Sequence, residues 1–203
     1  MFKRQALLDV GGFDPNWYHA EDMEVSLRLL NAGGSIVYAP DALVAHVPEV
    51  GVRRFLQKRR RDARAHVRIV RHFPSRQRSG PGFDFIGSAS IALSIFPITL
   101  LMLLSIVPLL MAYPYEQSWT EMWQTQLALG GFMLGALVEL MFWRGPLGVI
   151  TRSMKSDAGK SSIVLAISVR VLILRWSISL WQGLLLGCLD AVFARNGHKR
   201  LFR

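Results

Sequence analysis

Three carboxylates, Glu21, Asp22 and Glu24, crowd the start of an apolar-periodic segment in a chain that otherwise carries 24 Lys and Arg against 14 Asp and Glu. Acidic side chains in a first helical turn complement the helix dipole and need no further role. A second reading rests on what precedes them, a Gly11-Gly12-Phe13-Asp14 turn followed by the rings of Trp17 and Tyr18. That order would present a carboxylate at the mouth of a pocket, with Trp17 available to pack on a sugar or similar ligand. A carboxylate so placed can take a proton from an alcohol, and an adjacent carboxylate or partial burial raises its pKa toward that task. Glu24 falls later in the segment and is expected to face solvent. Farther on, His46 offers an imidazole that could ligate a divalent ion given carboxylate company; a lone histidine in a strand is otherwise a hydrogen-bonded structural residue.

The elements that must position these groups follow from local pattern. Pro15 sets its own backbone and restricts Asp14, so residues 11–15 read as a turn. Met23, Leu27 and Leu30, widened by Val25 and Leu29, have helical spacing, and Gly33-Gly34 supply a left-handed stop. Ser35 to Ala39 is a β-rich run ended by Pro40, and Ala42 to Val47 is another. Helix and strand therefore alternate as in an α/β domain, although two such runs are too few for a complete sheet.

The stretch GGFDPNWYHAEDMEVSLRLLNAGGSIVYAPDALVAHV resembles the second half of the catalytic domain of family 2 glycosyltransferases. There a Gly-Gly-Phe-Asp turn precedes a Glu-Asp pair, a Ser-Leu-Arg helix, a glycine and a Tyr-x-Pro-x-Ala-x-Val-x-His strand, in this order and spacing. The resemblance implies a partial GT-A fold of the α/β class followed by α-helical transmembrane segments. It also implies a nucleotide-sugar donor and a divalent metal, Mg or Mn. On it, Asp22 is the catalytic base of an inverting displacement, Glu21 its support, and His46 a ligand of the metal or the donor diphosphate.

Between Arg53 and Arg78 stand eleven Lys or Arg and one acid, Asp62. A solvated basic helix beside a membrane span has this composition. Its apolar stripe, Val52, Leu56, Ala63, Val67 and Val70, could also lie on anionic lipid headgroups. Within it, Gln57-Lys58-Arg59-Arg60-Arg61 resembles the family's Gln-(Gln/Arg)-x-Arg-Trp signature, with Arg61 where the tryptophan stands. The resemblance makes Gln57 and Arg60 substrate-binding residues, Arg60 as a cation for donor or lipid-linked phosphates. The family's Asp-x-Asp has no counterpart here. The expectation is a fragment, or an acceptor half that awaits an N-terminal donor-binding half and does not turn over nucleotide sugar alone.

Up to Asp84 the chain holds 14 Lys or Arg against 9 Asp or Glu; beyond it, 10 against 5, with long uncharged runs. Residues 86–113 and 122–143 read as transmembrane helices, since roughly 20 apolar residues cross the hydrocarbon core. Residues 161–194 form a third membrane-associated or spanning helix, interrupted by Arg170 and Arg175, and 195–203 a basic tail. Residues 1–78 are then the catalytic part with its juxtamembrane helix. Lys and Arg crowd 144–160 and the tail while the connection 114–121 has none, so the soluble part is expected on the cytoplasmic face of the inner membrane. An even number of crossings, and so a third helix lying along the membrane, agrees with that sidedness. The single Cys188 excludes an internal disulfide, and no cleavable signal is legible in Met1 to Val10. The activity expected is sugar transfer to a lipid-linked or polysaccharide acceptor. The alternative is a non-catalytic membrane protein that binds anionic lipid or a partner through the basic helix. A nucleic-acid partner is not expected, because the basic residues abut a span and only Phe55 and Phe73 interleave them.

Overall fold

Seven α-helices and a 3-10 turn make up the regular structure of the computed structural model, which describes residues 2–17, 19–45, 51–78, 85–111, 119–158, 162–196 and 198, with backbone alone for 85–89, 111, 119–121, 154–158 and 162. The helices are α1 (Arg4–Asp9), α2 (Glu21–Asn31), α3 (Val52–His72), α4 (Phe85–Met111), α5 (Trp119–Arg144), α6 (Pro146–Ala158) and α7 (Ser162–Val192), with the 3-10 turn at Ser75–Gln77. No strand occurs among the described residues. This corrects the expected α/β class: Ser35 to Ala39 and the described part of the second run, 42–45, are irregular. Their side chains show why. Ile36, Val37, Tyr38, Leu43 and Val44 are all strongly exposed, Leu43 at 90%. A strand exists only through a neighbour that takes up its N–H and C=O groups, and no described segment plays that part.

The chain divides into two units, one of Met1–Ala89 with Ser179–Arg203 and one of Ser90–Ile178. In the first, α2 lays Val25 and Leu27 inward, and a core of Trp17, Leu27, Ile69 and Phe73, flanked by Met23, joins it to α3. The far end of α2 is tied down as well, since Asn31 Nδ2 donates to the Gln77 carbonyl at 3.2 Å.

Helix α3 packs along the last turns of α7. Gly183 lies against the Arg60 carbonyl and Ala63, and Gly187 against the Arg64 carbonyl and Val67, so glycines spaced by four let the two backbones approach. Ala63 and Val67, part of the stripe that suggested a lipid-facing surface, are thus spent on protein. At the same junction Arg64 makes a two-pronged ion pair with Asp190, at 2.6 and 2.8 Å, and Arg71 donates to the Ala191 carbonyl at 2.9 Å. Gly187→Val is expected to force the helices apart, because a Cβ there would already stand 2.7 Å from Val67 Cγ2. Overpacking of this kind costs about 1–3 kcal/mol, which a lowered melting temperature of the detergent-solubilised protein would register.

His198 closes this junction. It is buried, its Nδ1 lies 3.1 Å from Arg71 Nη1, and its ring meets His72 edge-on at 6.0 Å. Burial, then the charges of Arg71 and Arg68, pull its pKa from the usual 6.5 down to about 4, opposed by Asp190. The unfolded histidine takes its proton near 6.5 and the folded one only near 4, so the neutral form's contribution is complete above 6.5 and disappears as pH falls toward 4. Thermal melts should show a loss of stability between pH 7 and 5 that His198→Gln reduces.

The second unit contains α4, α5, α6 and the first part of α7. Its core gathers Ile95, Leu147, Leu165, Val169 and Ile173, with Phe142 and Trp143 against them. Gly131 and Gly135 of α5 face Ser105 and Met102 of α4. Pro97 lies inside α4 and withholds the N–H that would bond the Leu93 carbonyl. Ser177 of α7 meets that need: its hydroxyl donates to the Leu93 carbonyl at 3.4 Å and accepts the Phe96 N–H at 3.0 Å. Arg170 of α7 is ion-paired with Glu139 of α5, its Nε donating at 3.2 Å, and its Nη2 donates to Thr99 Oγ1 of α4 at 2.6 Å.

Three segments, Ser90–Leu110, Met122–Arg144 and Ile163–Val192, are long and apolar enough to cross a membrane, which supports membrane association. The sequence leaves the third membrane-associated or spanning, interrupted by Arg170 and Arg175. In the structure it is one unbroken 31-residue helix, about 45 Å at 1.5 Å per residue. Within it Arg170 finds its carboxylate in Glu139, 31 residues away.

Candidate active site

The candidate site is built on the turn that leads into α2. Gly11 and Gly12 take φ of 82° and 71°, a left-handed reversal that glycine makes without steric penalty. Asp14 is buried, and its Oδ1 accepts the Asn16 N–H at 2.9 Å, an Asx turn. Trp17 follows with its N–H on the Asp14 carbonyl, 2.9 Å. His19 and Ala20 then turn left-handed in succession, φ 62° and 58°, which costs about 1–2 kcal/mol for each such non-glycine residue. The Ala20 carbonyl accepts the Glu24 N–H at 2.9 Å and so opens the helix.

Of the three carboxylates, Glu21 and Asp22 are exposed and Glu24 is 2% exposed. Asp22 Oδ1 accepts the N–H of Met23 at 2.7 Å, and both exposed acids stand at the positive end of the α2 dipole. Glu24 reverses its expected place. It forms two 2.7 Å bonds to Arg28, and Arg28 reaches the Gly12 carbonyl at 2.6 Å and that of Val10. A buried ion pair thereby fastens the Gly-Gly turn to the helix.

Trp17, read from the sequence as a platform for a sugar, is 4% exposed and belongs to the core. The Arg68 guanidinium lies 5.4 Å from its ring centroid and His72 meets it edge-on at 5.2 Å. Its ring supports the turn from behind. Gln57 and Arg60 are exposed on α3. His46 lies outside the described residues.

Electrostatics shows what α3 brings to the turn. Burial, then the charge of Arg61, lowers the pKa of His19, against Glu21 and Asp62 and with a further push from Arg68. Asp62, 3.2 Å from Arg59, has its carboxyl pushed up by burial against the pull of Arg59 and Lys58. Arg61, in the position where the resembling signature carries tryptophan, is therefore within electrostatic reach of His19. Arg68 is 2% exposed; burial pulls its pKa to about 10, where it stays cationic at neutral pH, and Asp190 and Glu21 are the anions in its field. Sequence reasoning assigned no site role to Arg61 or Asp62 and missed Arg68, because in a tract of eleven cations nothing but the fold distinguishes the members. Among the described residues no three His, Cys, Asp or Glu gather to hold a metal ion.

An exposed pair of carboxylates on a fixed turn, with arginines in range, suits proton removal beside an anionic ligand. The comparisons agree in class. The chain belongs to the glycosyl transferase family group 2, whose family model matches residues 1–193. Over 44 residues it is 46% identical to the pre-mycofactocin glycosyltransferase of Mycobacterium tuberculosis, strain CDC 1551 / Oshkosh, and equally to that of strain ATCC 25618 / H37Rv. Those matches cover 22% of this chain and 9% of each relative. No solved structure matches.

Proposed function

We propose that the protein takes part in glycosyl transfer at a membrane, moving a sugar from a nucleotide-sugar donor to a lipid-linked or polysaccharide acceptor with inversion. The observation that carries this reading is the exposure of Asp22 on a rigidly held turn in a chain of this family. The Asp22 carboxylate takes the proton of an acceptor hydroxyl as its oxygen bonds to the anomeric carbon, and the bond to the nucleoside diphosphate breaks on the opposite face. Glu21 lies beside it. The exposed Gln57 and Arg60, with Arg61, supply a hydrogen-bonding and cationic face for acceptor or phosphate. A divalent cation that serves the donor would take its ligands from outside the described residues, His46 among them.

The donor side is assigned to a protein segment outside the described residues that docks on this unit. Support comes from the exposed apolar run 36–44 and from a groove of about 630 Å³ between α1, α2 and residues 33–37, lined by Phe2, Ala6, Leu29, Leu30, Ile36 and Val37. An uncovered apolar surface of this kind suits contact with a further protein segment. The charge asymmetry of the loops favours the cytoplasmic face.

Native membranes supplied with radiolabelled nucleotide sugars test the reading. Label should enter the lipid extract or polymer, disappear when the gene is deleted and return with a plasmid copy. Unchanged labelling after deletion would refute it. For the lipid-binding alternative the stripe on α3 is divided, with Ala63 buried within the protein and Val52 and Val70 exposed.

A further inference from the structure

The described structure has four non-glycine residues with positive φ, in two pairs: His19 (62°) and Ala20 (58°) before α2, and Ala194 (50°) and Asn196 (49°) after α7. One side chain touches both turns. Arg68 Nη2 donates to the His19 carbonyl at 3.2 Å, and its Nη1 donates to the Asn196 carbonyl. The guanidinium also lies over Trp17. We propose that Arg68 is a positioning residue, which holds the strained His19–Ala20 turn in its left-handed form and so aims the carboxylates of Glu21 and Asp22.

Three features support this. A buried cation is costly unless its hydrogen-bonding groups are satisfied, and here the guanidinium donates to the main-chain carbonyls of His19 and Asn196. Left-handed alanine persists only where its surroundings impose it. The imposed turn is the last backbone before Glu21, so a change at residues 19 and 20 rotates the whole N-terminus of α2. The planar fork is needed because two carbonyls in different directions must be met together, which a lysine ammonium does less well. The end of α7 thereby joins the turn's support, through Asn196.

This inference rests on the function proposed for Asp22, and its test is split so that the two fail separately. The first arm needs no activity: hydrogen–deuterium exchange on the membrane-extracted protein should quicken for peptides covering residues 19–24 in Arg68→Lys, with residues 85–111 unchanged. The second arm is transfer by membranes, where Arg68→Lys should lower kcat by about ten- to a hundred-fold, the scale of a small misplacement of catalytic groups, with KM for the sugar donor unchanged. Adding Ala20→Gly should restore most of that loss, because glycine adopts the left-handed turn unaided. Should Arg68→Lys fail to accumulate, Ala20→Val serves instead: it leaves Arg68 in place, raises the cost of the turn and should give the same two changes. Unchanged exchange near residue 20 in these variants would overturn the proposal whatever the activity. A loss of kcat that Ala20→Gly does not repair would overturn it too, leaving Arg68 a structural residue.

Discussion

Replacing Asp22 by Asn is expected to reduce sugar transfer about 10²- to 10⁴-fold, the range spanned by a positioned general base, while leaving the amount and melting temperature of the protein where they were. The separation follows from geometry. Asp22 is exposed, and its one described hydrogen bond is from the Met23 N–H to Oδ1 at 2.7 Å. Asparagine keeps that oxygen and nearly the same shape and gives up only the charge at the helix start, so the change in stability should stay within about 1 kcal/mol. What is lost is the capacity to accept a proton. Single-turnover rates with labelled donor, normalised to protein in the membrane, give the answer. Glu21→Gln should cost less, since Glu21 supports the base without taking the proton. A rate in Asp22→Asn within threefold of wild type would end the assignment.

Glu24→Ala should do the opposite, removing the fold while sparing the chemistry of whatever remains folded. Its carboxylate is 2% exposed and holds Arg28, whose guanidinium carries the Val10 and Gly12 carbonyls. Taking away one member of a buried ion pair costs about 3–5 kcal/mol, because the other is left without its counter-charge. Against a typical total of about 5–15 kcal/mol, that threatens the packing of α2 on α3. Expression and melting temperature should fall, while activity per folded molecule holds. A paired Glu24→Leu, Arg28→Leu variant should recover part of the stability, since a well-packed apolar pair can replace a buried ionic one. If Glu24→Ala melts like wild type, the pair does not secure the turn. Two acids two residues apart thus have contrasting fates, one in rate and one in stability.

The contrast also shows how far the sequence could be read. The helix under the carboxylates was legible from Met23, Leu27 and Leu30 and from the Gly33-Gly34 stop, and it runs from Glu21 to Asn31. The long apolar runs were equally plain. Glu24 was misread because its burial depends on Arg28 one turn on and on carbonyls at 10 and 12, and a burial decided by an ion pair leaves no trace in apolar periodicity. Strands at 35–39 and 42–47 were inferred from β-branched and aromatic residues, but such propensity expresses fit to a neighbouring strand. Trp17 was taken for a surface ring for want of knowing that Leu27, Ile69 and Phe73 enclose it. The choice of Arg68 from the basic tract was beyond sequence altogether: its distinction is to meet the carbonyls of residues 19 and 196, brought together by folding alone.

The link between Glu139 and Arg170 also bears on how the chain is made. A guanidinium carried into hydrocarbon costs about 2.5–3.5 kcal/mol near mid-helix by the insertion machinery's own scale, a burden that a segment released singly has to bear in full. Because Glu139 comes 31 residues earlier, the ribosome delivers the anion first, and the cation arrives to a partner already waiting. In a membrane, insertion of the last long helix would depend in this way on the long helix made before it. A translation product that lacks the earlier helix should leave the later one stranded at the translocon's exit.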